Sequence, residues 1–148
     1  MPRKWVPAAG WGKLMAKSDK FETHAFRKGE FLLKEGLRDA DVFLITKGKV
    51  EIRGGTLGDS PRVLGIRGPG EIIGEMAAVD DEPHMASVVA LEDTTVTAMS
   101  RSEFHRRLKA MDPIMRGTIL AIVRRAREMS EFLVEKGETI NWHAWRKK

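Results

Sequence analysis

Ten glycines, at positions 29, 36, 48, 54, 55, 58, 65, 68, 70 and 74, cut the stretch after Thr23 into pieces too short for ordinary helices. Between and after them, as far as Met99, lie short runs with strand character: FLL, DVFLI, VEI, RVLGI, EII, SVVA and TVTAM. Short apolar and β-branched runs separated by turn residues at this spacing predict an all-β sandwich or barrel. The Gly/Asp/Ser/Pro-rich stretch between Arg53 and Arg62 predicts the tip of a hairpin, and Gly48 a turn between two strands.

Helical signals follow. Ser100 with Glu103 forms a capping-box pattern ahead of FHRRLKAM, and Asp112-Pro113 places an acidic N-cap before a proline at the first helical position. A long helix is expected from there to about Glu135, with Gly137 as its stop and a further short helix near Gly12 to Lys20. Along the long helix Met115, Ile119, Ile122, Ala126, Met129 and Leu133 recur at alternating spacings of four and three. That 3.5-residue repeat suits a partner helix and predicts a homodimer seam, with Val123 and Phe132 beside it docking the helix on its own barrel. Arg124 with Glu128 and Arg127 with Glu131 stand at i,i+4 spacing.

The resulting fold class is mainly β with flanking helices: a β-roll or jelly-roll barrel, a short helix near residue 75 and a long C-terminal helix. The expected divisions are an N-terminal segment 1–22, a β-roll with its following short helix over 23–110, the long helix over 111–136 and a basic tail over 137–148. A chain of 148 residues is large enough for one such domain.

Composition narrows the chemistry. The chain has no cysteine, which removes disulfides, thiol nucleophiles and zinc–cysteine sites and fits a reducing cytoplasm. Its net charge of +5 is unevenly spread: residues 1–28 carry +5, residues 29–100 carry −6 and residues 101–148 carry +6. The basic ends raise the possibility of a nucleic-acid accessory protein, while solvated helix faces account for the same charges. No apolar run approaches the ~20 residues of a membrane span, so a cytoplasmic location is expected. The four histidines, His24, His84, His105 and His143, include no close pair of the kind a cupin-type metal site requires. There is no GxSxG elbow and no Walker A loop. No catalytic residue, metal site or cofactor is therefore expected, and no enzyme.

The stretches FRKGEFLLKEG, DVFLITKGKVEI and GEIIGEMAAVDDEPHMASVVA together resemble the cyclic nucleotide-binding domain, the family of Crp/Fnr-type regulators and protein kinase A regulatory subunits. The resemblance runs from about Phe26 to Glu135. It implies that the third stretch is the cassette holding a cyclic phosphate and ribose, with Gly74, Glu75, Met76 and Ala77 at the start of a short helix. Glu75 falls where the family glutamate accepts the ribose 2′-hydroxyl, which suits an ionised acceptor. His84 falls on the family's phosphate arginine, Met85 on the small residue that follows, and Ala86 matches. Arginine is always charged and grips phosphate with a planar fork, whereas histidine has a reference pKa of about 6.5 and is mostly neutral above it. In the cAMP-receptor subgroup a Thr-Ser pair on the long helix meets the adenine; here Met129-Ser130 takes that place.

These departures imply a degenerate cassette and a regulatory or protein-interaction module with weak or no cAMP or cGMP binding. The alternative is a working cAMP or cGMP sensor that relies on the cassette amides, Glu75 and a protonated His84. About a dozen residues follow Glu135, too few for the helix-turn-helix module of DNA-binding relatives, so none is expected.

Overall fold

The computed structural model describes residues 21–38 and 41–135, with the backbone alone for 132–135. The expected helix near Gly12 to Lys20, the stop at Gly137, the basic tail and the side chains of Phe132 and Leu133 lie outside the described residues. Eight strands and three helices make up the described part: β1 (Phe21–Phe26), β2 (Phe31–Leu33), β3 (Val42–Lys47), β4 (Val50–Gly54), β5 (Arg62–Arg67), β6 (Ile72–Ile73), α1 (Glu75–Asp80), β7 (Ser87–Ala90), β8 (Thr94–Met99), α2 (Arg101–Ala110) and α3 (Pro113–Glu135). The strands form two antiparallel four-stranded sheets, ordered β1-β8-β3-β6 and β2-β7-β4-β5. This is the mainly β, jelly-roll architecture expected from the glycine-punctuated runs.

The strand that the runs did not reveal is β1, FETHAF, which pairs along its whole length with β8, from Phe21↔Met99 to Phe26↔Thr94. It lacks a β-branched run and lies at a sheet edge, so its strand conformation is set by pairing with β8 rather than by its own pattern.

Between the sheets, Leu33, Phe43, Ile45, Val50, Ile73, Val88, Val96 and Ala98 form one buried cluster. Gly48 carries the chain from β3 in one sheet to β4 in the other at φ 95°, and a Cβ there would stand 2.6 Å from the Asp93 carbonyl oxygen. No other residue fits that corner without displacing backbone.

A second cluster joins the helices. Val79 of α1, Leu108 of α2 and Val123 of α3 are buried together, with Met76, Phe104, Met111 and Ile119 packed around them. Val123 therefore docks the long helix on its own domain, as its place beside the seam predicted; full burial of a valine stabilises by about 1.5–3 kcal/mol. The turn into α3 forms as its sequence dictates, Asp112 Oδ1 accepting from the Ile114 N–H at 2.9 Å and the Met115 N–H at 3.3 Å.

Candidate functional site: a cavity between the cassette and the long helix

Strand β6 ends at Ile73, and Gly74 then turns the chain into α1 with φ 83°. A Cβ on Gly74 would approach the Asp41 carbonyl oxygen to 2.8 Å, so both torsion and space demand glycine. Gly74 caps α1 without any side-chain hydrogen bond. The first amides of a helix have no carbonyl partner within it, so this turn presents N–H groups to whatever lies before it.

What lies before it is a cavity of about 230 Å³. Gly74, Glu75, Met76 and Ala77 line it from the cassette turn, His84, Met85 and Ala86 from the loop after α1, and Ala126, Arg127 and Ser130 from α3. Leu33, Ile52, Leu64, Arg67, Ile72, Ile73 and Val88 close the sheet side. The seven cassette residues singled out from the sequence are thus brought together around one opening.

Met129 is not among the lining residues and is 47% exposed. Successive helical residues turn by about 100°, which sets Met129 about 60° from Ala126 and about 100° from Ser130, toward the solvent edge of the cavity face. Of the two helix positions expected to meet a ligand, Ser130 lines the cavity and Met129 lies on the exposed stripe. That stripe contains Met115, Ile122 and Met129, exposed by 54%, 58% and 47%. The remaining seam positions divide, Ile119 packing on the interhelix cluster and Ala126 on the cavity.

Glu75 is an exposed residue, yet burial is the largest influence on its carboxyl and raises its pKa above the ordinary 4.5. The two facts agree if its surface opens into the cavity while protein encloses the remaining sides. Its own backbone N–H and the charge of Arg67 act in the opposite sense and do not cancel the effect. A carboxylate held this way gains from any hydroxyl donor that enters the cavity.

His84 is 6% exposed, and its backbone is fixed on both sides: its N–H donates to the Leu37 carbonyl at 2.9 Å and its carbonyl accepts from the Gly36 N–H at 2.8 Å. The turn after β2 thereby positions the cassette loop. A polar cluster that no local pattern announces extends this support. Glu35 Oε2 accepts from the Thr56 N–H at 2.7 Å and from its hydroxyl at 2.6 Å, and the Thr56 and Ser87 hydroxyls are 2.8 Å apart. The hairpin tip, the turn after β2 and the exit of the cassette are so tied together.

The acidic loop is not an open negative patch. Arg127 grips Asp80 with two nitrogens, Nη2 to Oδ1 at 3.0 Å being one, and donates from Nη1 to the Pro83 carbonyl at 3.2 Å. Arg101 pairs with Asp81. The expected local pair of Arg127 with Glu131 gives way to Asp80, a partner 47 residues away, whose side chain is only 15% exposed. Arg67 and Arg127 are the arginines among the lining residues, and sequence spacing singled out neither for the site. Among the described residues no group of three His, Asp or Glu side chains has metal-site geometry, and no helix is long and apolar enough to cross a membrane.

Residues 23–110 match the family model of the cyclic nucleotide-binding domain. The chain belongs to that family. It is 30% identical over 108 residues to the cyclic AMP receptor protein of Thermus thermophilus, covering 73% of this chain and 50% of that protein. It is also 30% identical over 129 residues to the Pycsar effector protein XpPycTIR of Xanthomonas perforans, covering 86% of this chain and 40% of that one. The chain spans half or less of the length of these curated relatives. Among solved structures, the cAMP-bound EAL enzyme Bd1971 superposes with a TM-score of 0.69 at 26% identity over 78% of this chain and 30% of its own. The Thermus thermophilus catabolite activator protein gives 0.64 at 26% identity, over 90% of this chain and 62% of its own. This cyclic nucleotide-binding domain is a module of regulatory type, and the cavity is bordered by the residues that the family resemblance singled out.

Proposed function

We propose that this domain is a regulatory sensor or protein-interaction module whose cavity accepts cAMP or cGMP only weakly. The observation that carries the reading is the composition of the cassette loop: His84 and Met85 line the cavity where the family resemblance calls for arginine and a small residue. A hydrogen bond to a charged group contributes about 1.5–3 kcal/mol, so loss of an arginine fork weakens anion binding by roughly tenfold to a hundredfold. The size of the cavity supports the same reading, since about 230 Å³ is below the ~300–1,000 Å³ of most small-molecule sites. Met85 is half-buried and lines that space.

The residues that the resemblance assigns to phosphate, ribose and base support retention of nucleotide chemistry. The Gly74 turn, the carboxylate of Glu75 and the hydroxyl of Ser130 all border the cavity. A second reading, a fully competent cAMP or cGMP sensor using the cassette amides, Glu75 and His84, draws support from the two arginines in the lining, Arg67 and Arg127. Calorimetric titration of the domain with cAMP and with cGMP at pH 7.5 separates them. Affinity weaker than micromolar is expected; micromolar or tighter binding would overturn the weak-site reading in favour of the competent sensor.

The module is further proposed to act as a homodimer through α3. Met115, Ile122 and Met129 recur every seven residues along its exposed face, which is a narrow coiled-coil stripe rather than a core-facing one. Ile122→Glu is expected to convert a dimer to monomer in light scattering. An unchanged dimer would place the interface elsewhere.

A further inference from the structure

Arg127 stands in the wall between two openings. On one side is the cassette cavity; on the other is a larger groove of about 600 Å³ running between the end of α1, α2 and α3. Its side chain is 16% exposed, and its guanidinium bridges Asp80, the last residue of α1, to the carbonyl of Pro83, the residue before His84. Through these contacts the long helix holds the start and the middle of the loop that would meet a ligand's anionic group. The other arginine of the lining, Arg67, comes from the sheet side and lies within electrostatic range of Glu75.

We infer that Arg127 is the anion-binding cation of this cavity, withheld from it by Asp80. The inference rests on the cyclic-nucleotide reading and adds to it the residue that limits affinity. In the structure as it stands, the guanidinium is bonded to a largely buried carboxylate, an acceptor that competes directly with a phosphate oxygen for the same N–H donors. An anion in the cavity takes up part of that fork only when the contact with Asp80 loosens. Ligand binding and the hold of the cassette on α3 are thereby opposed, so the occupancy of the cavity is read out in how firmly the long helix is held. A neutral ligand of the same shape makes no such demand.

The test compares cAMP with adenosine, which lacks the phosphate, by calorimetry on the wild-type chain, Asp80→Asn, Arg127→Gln and the double variant. Asp80→Asn is expected to tighten cAMP on the order of tenfold, the worth of one charge-assisted hydrogen bond, and to leave adenosine unchanged. Arg127→Gln is expected to weaken cAMP and to abolish the gain in the double variant. Unchanged cAMP affinity in Asp80→Asn, or an equal change for both ligands, overturns the inference. A measurement independent of variant folding uses the wild-type chain. The ¹⁵N resonance of the Arg127 Nε–H is expected to shift on saturation with cAMP and not with adenosine, and a shift common to both contradicts the proposal. His84→Arg separates the two levels of argument. If that variant gains cAMP binding while Asp80→Asn does not, this inference alone fails. If no variant binds cAMP, the cyclic-nucleotide reading fails with it.

Discussion

Two helices of this domain begin within 30 residues of each other and are built in opposite ways. Helix α2 starts from Ser100 in an extended conformation; its hydroxyl accepts the Glu103 N–H at 3.2 Å. The Glu103 carboxylate is gripped by Arg106 and Arg107 at 2.6–2.9 Å. Helix α1 starts from Gly74 in the left-handed region with no side-chain cap, and its first carboxylate, Glu75, faces a cavity where burial opposes its charge. At α2 the local groups satisfy one another. At α1 they are left to be satisfied by something else, at a cost in stability. That difference separates a helix start that serves the fold from one that suits the proposed ligand site, although both read as an acid in a first turn.

The contrast is sharpened by substitutions at matched positions. The largest effect is expected for Gly74→Ala, which must hold φ 83° and a Cβ 2.8 Å from the Asp41 carbonyl. Strain of this kind costs about 1–3 kcal/mol, and denaturant melts should show it. Ser100→Ala removes a side-chain cap and should cost about 1 kcal/mol by the same measurement. Equal costs at the two positions would remove the distinction drawn between the caps.

The glutamates should then differ in sign. Glu103 is held at a pKa of about 2, chiefly by hydrogen bonds from Arg106 and then Arg107. Its contribution is complete above the ordinary value of 4.5 and is lost as pH falls from there toward 2. Glu103→Gln should therefore lower the melting temperature at neutral pH and flatten its acid dependence over that window. Glu75 has the reverse linkage. Its raised pKa means the folded state binds the proton more tightly, so its penalty is present at neutral pH and relieved as pH falls through that raised value toward 4.5. Glu75→Gln should raise the neutral-pH melting temperature slightly, the smallest effect of the four. A fall on that substitution would mean that Glu75 serves the fold as Glu103 does.

Local patterns were legible in the sequence, and distant pairings were not. Gly48, Gly74 and Asp112-Pro113 announce their turns because torsion and capping depend on a few neighbouring residues. The Ser100–Glu103 capping box was only half right: the hydroxyl accepts from the Glu103 N–H, while the Glu103 side chain turns to Arg106 and Arg107. The cassette residues gather as the family pattern implies, but Arg127 escaped notice because its spacing to Glu131 offered a local partner. Its actual partner, Asp80, is brought near only by the packing of Val79 against Val123. A 3.5-residue count along α3 likewise merges Ala126, which lines the cavity, with the outer stripe of Met115, Ile122 and Met129, and only the docking of Val123 tells them apart.

The most direct test of a nucleotide cradle whose loop carries His84 in place of the family arginine is calorimetry with cAMP on His84→Arg/Met85→Ser beside the wild-type chain. The account predicts weak binding by the wild type and a gain of at least tenfold in the double variant, the worth of a restored charge-assisted contact. No gain, in a variant that melts as the wild type does, would contradict it.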